Sequence, residues 1–535
     1  MTSSSTHRHD GALARITGAV ARHPWRTVTV WVLAVIAIAM ASAAYRGTLV
    51  NDFTIPNSDA QHATDLLKAR FPQQAGDSAN VVFSAPSGLR ATAQKATVER
   101  ALKAAARVPG VTSVGDPYAR RAGAISRNGS VAYAQVQFNR TAYAVPKHDA
   151  DQLQRDVRAA VGSSGVQAEF DGAVIDASRT PQTGTSELLG LLAAVVVLLI
   201  VFGTFTAMLI PIGLALVSLG ISLSVLLLAA AVWNFNTITP TLATMIGLGV
   251  GIDYALFIVT RFRQRLHDGE EPEAAAAGAA ATAGRAVIFA GSAVAISILG
   301  LAFIGLDFVT KLGLGAAISV VVTVLTATTL LPAVLRLLGH RIDRLRVPFT
   351  RQRDDSISAR EHSLVARWGR FVTRHSRLAI AAALLALLIP ASAVATVQLG
   401  SSDDGSNPAN TTTRKAYDLL ARGFGPGFNG PLVVAVDQRA DHSAAALLAK
   451  AIRRQDGVAS VSRPLVNRAG DAAVITVVPS TPPQSARTSD LVSHLRHDTV
   501  PRTFAGTGAR AYVGGSTAAF DDIASQISSR LPLFL

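Results

Sequence analysis

A single carboxylate, Asp253, interrupts an apolar run in GLGVGIDYALFIVTRFRQR (247–265), and Arg261, Arg263 and Arg265 follow it. An ionised side chain at the centre of a membrane helix costs ~2.5–3.5 kcal/mol on insertion scales, so a carboxylate held there needs a use. Asp253 lies eight residues from Arg261, or about 12 Å into a hydrocarbon core of about 30 Å. Removal from water favours the neutral form of a carboxylic acid. A group that can be neutral or ionised near neutral pH has the chemistry of a proton carrier. The competing role is a permanently neutral Asp253 that hydrogen-bonds helices together. Tyr254 points about 100° away around the helix, towards a carboxylate on another helix or into ordinary packing. Gly247 and Gly251 form a small-residue pair at helical spacing, expected to bring another helix backbone close to Asp253. Ser292 and Ser297 on the next apolar run, with Thr241 and Thr244, supply hydroxyls for a proton path or for plain interhelical hydrogen bonds.

Other chemistries lack their residues. The chain has no cysteine, which removes disulfides, thiolate metal sites and a Cys nucleophile. Its histidines show no metal spacing; His7 and His9 sit in a polar tail. Gly247, Gly249 and Gly251 follow no soluble strand and precede no Lys-Ser/Thr, so they are not a phosphate loop. There is no Walker motif and no nucleophile elbow. The reading is no enzyme, no metal and no cofactor, with a proton gradient rather than ATP as the energy source. The net charge of +15 does not point to nucleic acid. Much of the excess, from Arg336 and Arg341 to Arg374 and Arg377, lies between two apolar runs, where positive charge marks the cytoplasmic side.

The elements that position Asp253 follow from composition. Only 16% of residues are charged and 49% are hydrophobic, against about a quarter charged in soluble domains. A membrane helix needs about 20 mostly apolar residues. Seven runs qualify, at 27–45, 187–205, 208–232, 239–260, 286–306, 310–338 and 377–398, and 531–535 is expected to begin an eighth. Arg8, Arg15, Arg22 and Arg26 place the N-terminus (1–26) in the cytoplasm, together with the basic linker 339–376. Five runs (186–338) form a bundle. HDGEEPEAAAAGAAATAGR is expected as a cytoplasmic amphipathic or interfacial helix between the fourth and fifth runs. Glu187 is expected as a solvated cap, Asp307 and Lys311 as a surface pair, and Phe308 as an interfacial anchor.

Segments 46–185 and 399–530 then fall outside the membrane. Each reads as β-α-β-β-α-β, the order of ferredoxin-like α+β domains. The halves also match residue by residue: RVPGVTSVGDP (107–117) with RQDGVASVSRP (454–464), and NSDAQHATDLLKARFP (57–72) with NPANTTTRKAYDLLARGFGP (407–426). Such duplication is common among transporters. A counterpart of Asp253 is expected beyond Leu535.

GLGVGIDYALFIVTRFR resembles the fourth-helix signature of the MMPL branch of the resistance–nodulation–division (RND) transporters. GRAVIFAGSAVAISILGLAFIGLDFVTKLGLGAAISV resembles their fifth and sixth helices. The resemblance implies a multi-span α-helical protein of the bacterial plasma membrane with two extracytoplasmic porter domains. It further implies proton-driven export of lipids or other hydrophobic molecules, with Asp253 and Tyr254 as half of a relay whose other half lies in a second bundle. Many relatives carry Ser or Thr where this chain has Ala290, with Ser292 two residues later. Membrane lipids, a lipid substrate, and a second transmembrane half or second copy are the implied partners. The alternatives are an accessory protein similar to the six-helix subunits that assist protein translocation, and an inactive remnant of a transporter.

Overall fold

The computed structural model describes residues 18, 20–50, 55–71, 77–119, 123–179, 183–345, 364–393 and 403–534. Expectations placed on Arg8, Arg15, the arginines of 346–363 and the side chain of Glu187 lie outside them. The chain divides into a helical unit (Met1–Asp52, Gln182–Gln398, Leu533–Leu535) and a sheet unit (Phe53–Pro181, Leu399–Pro532).

In chain order, α1 (Pro24–Tyr45) is followed by α2 (Asp59–Arg70), β1 (Ser78–Ser84), α3 (Thr92–Ala105), β2 (Val111–Val114), β3 (Val131–Phe138), α4 (Lys147–Val161), β4 (Gln167–Asp171) and α5 (Ala173–Ser178). The helical unit resumes with α6 (Thr183–Phe202), α7 (Phe205–Ala229), α8 (Thr239–His267), α9 (Pro272–Leu299), α10 (Asp307–Leu325), a π-helical turn (Thr326–Leu330) and α11 (Leu331–Leu338). After α12 (Leu364–Arg374) and α13 (Ser376–Ser392) come α14 (Thr412–Phe424), β5 (Leu432–Asp437), α15 (Ala444–Ile452), β6 (Val458–Val461), β7 (Leu465–Val466), β8 (Ala472–Pro479), α16 (Ala486–His494), α17 (Val500–Phe504), β9 (Arg510–Gly514) and α18 (Ser516–Phe534).

Among the described residues, five helices of the helical unit are long and apolar enough to cross a membrane, or six if α12 and α13, bent by 96° at their junction, count as one span. α6 is a further apolar helix, of 20 residues. Seven runs were expected, and local breaks mark the end of one and the start of another. Gly203, with a left-handed φ of 66°, ends α6, and α12 and α13 meet at a break at His375. The alanine-rich stretch after Asp268 is not a separate helix but the first half of α9, which starts at Pro272. Alanine is the strongest helix former, Pro272 fits the first turn, and no breaker separates it from the apolar half. A core of Ile258, Val259, Phe262, Ala279, Leu331 and Leu335 joins α8, α9 and α11, and Trp31 of α1 packs against it.

The sheet unit holds two antiparallel sheets, ordered β2-β3-β1-β4 and β6-β8-β5-β9, with β7 on β8. Their irregularities coincide. The β2–β3 register shifts between Val111 and Ser113, and the β6–β8 register between Val458 and Ser460. Gly110 and Gly457, each just before its strand, take φ of 81° and 86°, a conformation that only glycine adopts without strain. Val81 and Phe83 of β1 face a core shared with α3 and α4. Val82 faces the other way, onto Ala416, Leu419 and Leu420 of α14, so β1 is buried on both sides and loses the alternation of a half-exposed strand.

That second layer is exchanged between the repeats. α14 of the second half lies on the first sheet: Thr412 donates to Glu169 at 2.6 Å and accepts from the Phe170 amide at 2.9 Å. α2 of the first half lies on the second sheet: Asp59 accepts from the Val513 amide at 2.6 Å and pairs with Arg496 at 3.2 Å, and Arg70 pairs with Asp471 at 2.6 Å. Both helices are capped alike, Ser58 accepting from Gln61 N–H and Thr411 from Arg414 N–H.

Candidate functional site

α8 presents two faces. Its buried face runs through Thr239, Ala243, Gly247, Gly251 and Tyr254. A Cβ on Gly247 would fall onto the Ser319 hydroxyl of α10, which donates to the Ala243 carbonyl at 3.0 Å. A Cβ on Gly251 would stand 3.1 Å from Ala215 Cβ on α7 and 3.5 Å from Thr323 Cγ2 on α10. The Gly247/Gly251 pair is therefore a tight helix contact. It does not bring a backbone towards Asp253, because at 100° per residue Asp253 is turned about 200° from Gly251 and about 240° from Gly247.

Asp253 belongs to the opposite face. Met245, Gly249, Asp253 and Phe257 are all exposed at four-residue spacing and form one stripe down the helix. Among the described residues, no side chain hydrogen-bonds or ion-pairs with Asp253. Tyr254, 8% exposed, points inward. A Cβ on Gly291 of α9 would lie 3.4 Å from its ring and 3.5 Å from its hydroxyl, and would run into Val324 of α10. Ser292 and Ser297 are exposed on α9. Thr244 donates back to the Pro240 carbonyl at 2.8 Å. The structure thus separates the predicted residues: Asp253 on an open apolar stripe, Tyr254 inside the bundle, and the serines on the α9 surface. Lys311 pairs with Asp307 at 2.5 Å, as expected for neighbours one turn apart.

Sequence reasoning missed several groups. At the arginine end of α8, Arg263 binds Asp343 at 2.7 Å and the Phe202 carbonyl at 2.9 Å, and His267 reaches Asp343 at 3.1 Å. Together they clamp the ends of α6 and of the sixth run. On α10, Gly315, Ser319 and Thr323 repeat every four residues opposite α8, a signal that was readable but common in membrane helices. In the sheet unit, carboxylate oxygens of Asp171, Asp176 and Asp404 lie within 4.8 Å of one another, brought together from β4, α5 and the segment before α14. Arg179 approaches Asp176 at 3.7 Å and Asp404 at 3.9 Å. Burial, then the Asp404 carboxyl beside it, pushes Asp171 well above the usual carboxylate range. Burial and Asp404 push Asp176 up to about 7, with Arg179 opposing. No sequence spacing announces this cluster.

A bundle of apolar helices with a carboxylate on an open apolar stripe, joined in sequence to duplicated α+β domains, defines a polytopic membrane protein of the transporter kind. The chain matches the MMPL family over residues 52–379, and it belongs to that family, within the RND transporters. It is 34% identical to the membrane protein YdfJ of Bacillus subtilis, over 97% of this chain and 70% of that one. It is 27% identical to the mycolic acid-containing lipids exporter MmpL11 of Mycolicibacterium smegmatis, over 97% of this chain but 56% of the relative. With the trehalose monomycolate exporter MmpL3 of Mycobacterium tuberculosis it shares 28% identity over 48% of its length and 29% of the relative's. The chain thus spans little more than half of the named MmpL11 exporter.

Proposed function

We propose that this chain is the proton-coupled part of an exporter of lipids or other hydrophobic molecules across a bacterial inner membrane. The observation that carries the reading is Asp253 itself, exposed on an apolar stripe of a membrane helix with no described partner. A charged group facing hydrocarbon is unfavourable, so a second helical half or a second copy covers that stripe when the transporter works. The names of the Mycolicibacterium smegmatis MmpL11 and of MmpL3 support a lipid cargo. Family membership favours transport over the accessory role.

In this reading the N-terminus and the arginine end of α8 are cytoplasmic, as the distribution of positive charge favours. The sheet unit is extracytoplasmic. Its element order and its strand order support two ferredoxin-like porter domains. Asp253 gains and loses the proton; Tyr254 connects it to the bundle interior; Ser292 and Ser297 serve from the α9 surface.

The test is export from membrane vesicles under an imposed pH gradient, using the complete protein. Asp253→Asn keeps the size and hydrogen-bonding capacity of the side chain but cannot ionise. It should abolish gradient-driven export while leaving expression and insertion intact, because it removes an ionisable group from the membrane. Tyr254→Phe should slow export without uncoupling it. Gradient-dependent export retained by Asp253→Asn would reduce Asp253 to a structural residue.

A further inference from the structure

The arginine end of the helical unit holds a cleft of about 560 Å³ between the segment leading into α1, the first turns of α9 and the end of α11. Four charged side chains line it, Arg22, Glu271, Glu273 and Arg336, beside Ala21 and Pro272. The cleft sits at the edge of the apolar runs. Arg22 precedes the run 27–45 by five residues, and Arg336 is the third residue from the end of the run 310–338. Trp25, on the first turn of α1, is 71% exposed. Exposed tryptophan beside basic residues marks the headgroup level of a bilayer.

The four charges do not satisfy one another. Arg336 Nη2 meets Glu273 Oε2 at 3.4 Å, long against the roughly 2.7–2.9 Å of a charge-assisted hydrogen bond. Arg336 Nε is buried with no protein partner. Arg22 spends its Nε on the Gly18 carbonyl at 3.2 Å. Among the described residues, neither its Nη groups nor the Glu271 carboxylate has a hydrogen-bond or ion-pair partner. Glu270, next in sequence, is by contrast closed onto Arg265, with both oxygens at 3.0 Å.

Two guanidinium groups with donors to spare and one open carboxylate are complementary to a zwitterion that carries a phosphate and an ammonium together. Guanidinium is the side-chain group best shaped for phosphate oxygens. A free phosphate, or an anionic headgroup without an amine, would use the arginines and leave Glu271 facing a like charge. The geometry points to a binding site for the headgroup of a membrane phospholipid, its phosphate diester held by Arg22 and Arg336 and its ammonium by Glu271. The acyl chains stay in the bilayer, and the lipid ties the start of α1 to α9 and α11. It is a resident of the bundle, separate from any cargo. The leaflet is the cytoplasmic one in the orientation proposed above; the binding itself rests neither on that orientation nor on Asp253.

Native mass spectrometry of the full chain, titrated in detergent with phosphatidylethanolamine or phosphatidylglycerol, tests the site. The parent chain should retain one phosphatidylethanolamine more strongly than phosphatidylglycerol; equal retention of the two overturns the proposal. Arg22→Gln and Arg336→Gln should each weaken retention of both lipids by about tenfold, the scale of one hydrogen bond to a charged group. Glu271→Gln should remove the preference and leave phosphatidylglycerol bound. Arg261, at the same end but outside the cleft, bonds Gln264, and Arg261→Gln should change nothing. Equal losses in Arg261→Gln and Arg22→Gln would reduce the effect to surface charge and overturn the site. Millimolar inorganic phosphate should not displace the lipid; displacement would make the cleft a soluble-phosphate site. Folding is checked separately. Arg22 and Glu271 are exposed, so their variants should melt with the parent in lipid-free detergent. Phosphatidylethanolamine should raise the melting temperature of the parent, as a ligand of the folded state does. A rise kept in full by both Arg22→Gln and Glu271→Gln overturns the proposal.

Discussion

At the scale of single residues, the two faces of α8 make opposite predictions for neighbouring glycines. Gly251 is pressed against Ala215, with Ala215 Cα 3.2 Å from where a Cβ would stand. Gly251→Val should therefore force α7 and α8 apart and destabilise the bundle by about 1–3 kcal/mol, seen as a lower melting temperature in detergent. Gly249 has no atom within 4 Å of its Cβ position, so Gly249→Val should leave melting unchanged or raise it. If a partner helix closes on the Asp253 stripe, the same change should abolish export; normal export by Gly249→Val would mean that the stripe faces lipid. Asp253 was legible in the sequence because its cost is local: one carboxylate among apolar neighbours needs no tertiary information. Which way it faces was not, since the buried side of a helix apolar all round is chosen by where glycines on facing helices allow close approach. The inward turn of Tyr254 was half legible. The angle from Asp253 follows from helix geometry, but the Gly291 niche that receives the ring belongs to another segment.

At the scale of elements, the strands of both sheets other than the two-residue β7 could be read from sequence, because β-branched runs bounded by glycine and proline carry their own signal. The continuous α9 could not, because a charged, alanine-rich stretch and an apolar one look like two helices until the absence of a breaker is weighed. The carboxylates gathered around β4 and α5 set a pH response in the sheet unit. Asp59, Asp171, Asp176 and Asp521 are all raised, in each case chiefly by burial. The folded unit then holds protons that the unfolded chain has released, and stability falls as pH rises. For Asp176 the window runs from its ordinary 3.8 to about 7, although 42% of its side chain is exposed and solvent screens part of the effect. Asp437, lowered chiefly by its hydrogen bond to Arg439, acts oppositely but only below the usual carboxylate range. The unit should melt higher at pH 5 than at pH 8, and Asp176→Asn should flatten that difference. Melting that rises with pH over this range would contradict the cluster's role.

At the scale of the molecule, the exchanged helices make the two repeats mutually dependent, and Arg496 is a buried link between them. It is 14% exposed and bonds Asp59, Asp522 and the Val513 carbonyl. Arg496→Ala leaves two carboxylates without their cation and should cost ~3–5 kcal/mol. Limited proteolysis of the full chain should then cut within α2 (Asp59–Arg70) sooner than in the parent protein; unchanged resistance would show the link to be dispensable. The duplication was visible in sequence, but the exchange was not, because matching motifs reveal equivalence and not which copy a helix packs upon. The exchange also bears on how the protein is made. α2 leaves the ribosome about 440 residues before β9, its eventual seat, a delay of about 20–90 s at 5–20 residues per second. Meanwhile the first sheet waits with Val82 and Val131 uncovered until α14 is translated. Biogenesis therefore passes through a half-dressed intermediate, and the rate of translation between the repeats, rather than the stability of either, governs how long that intermediate is open to aggregation or to chaperones.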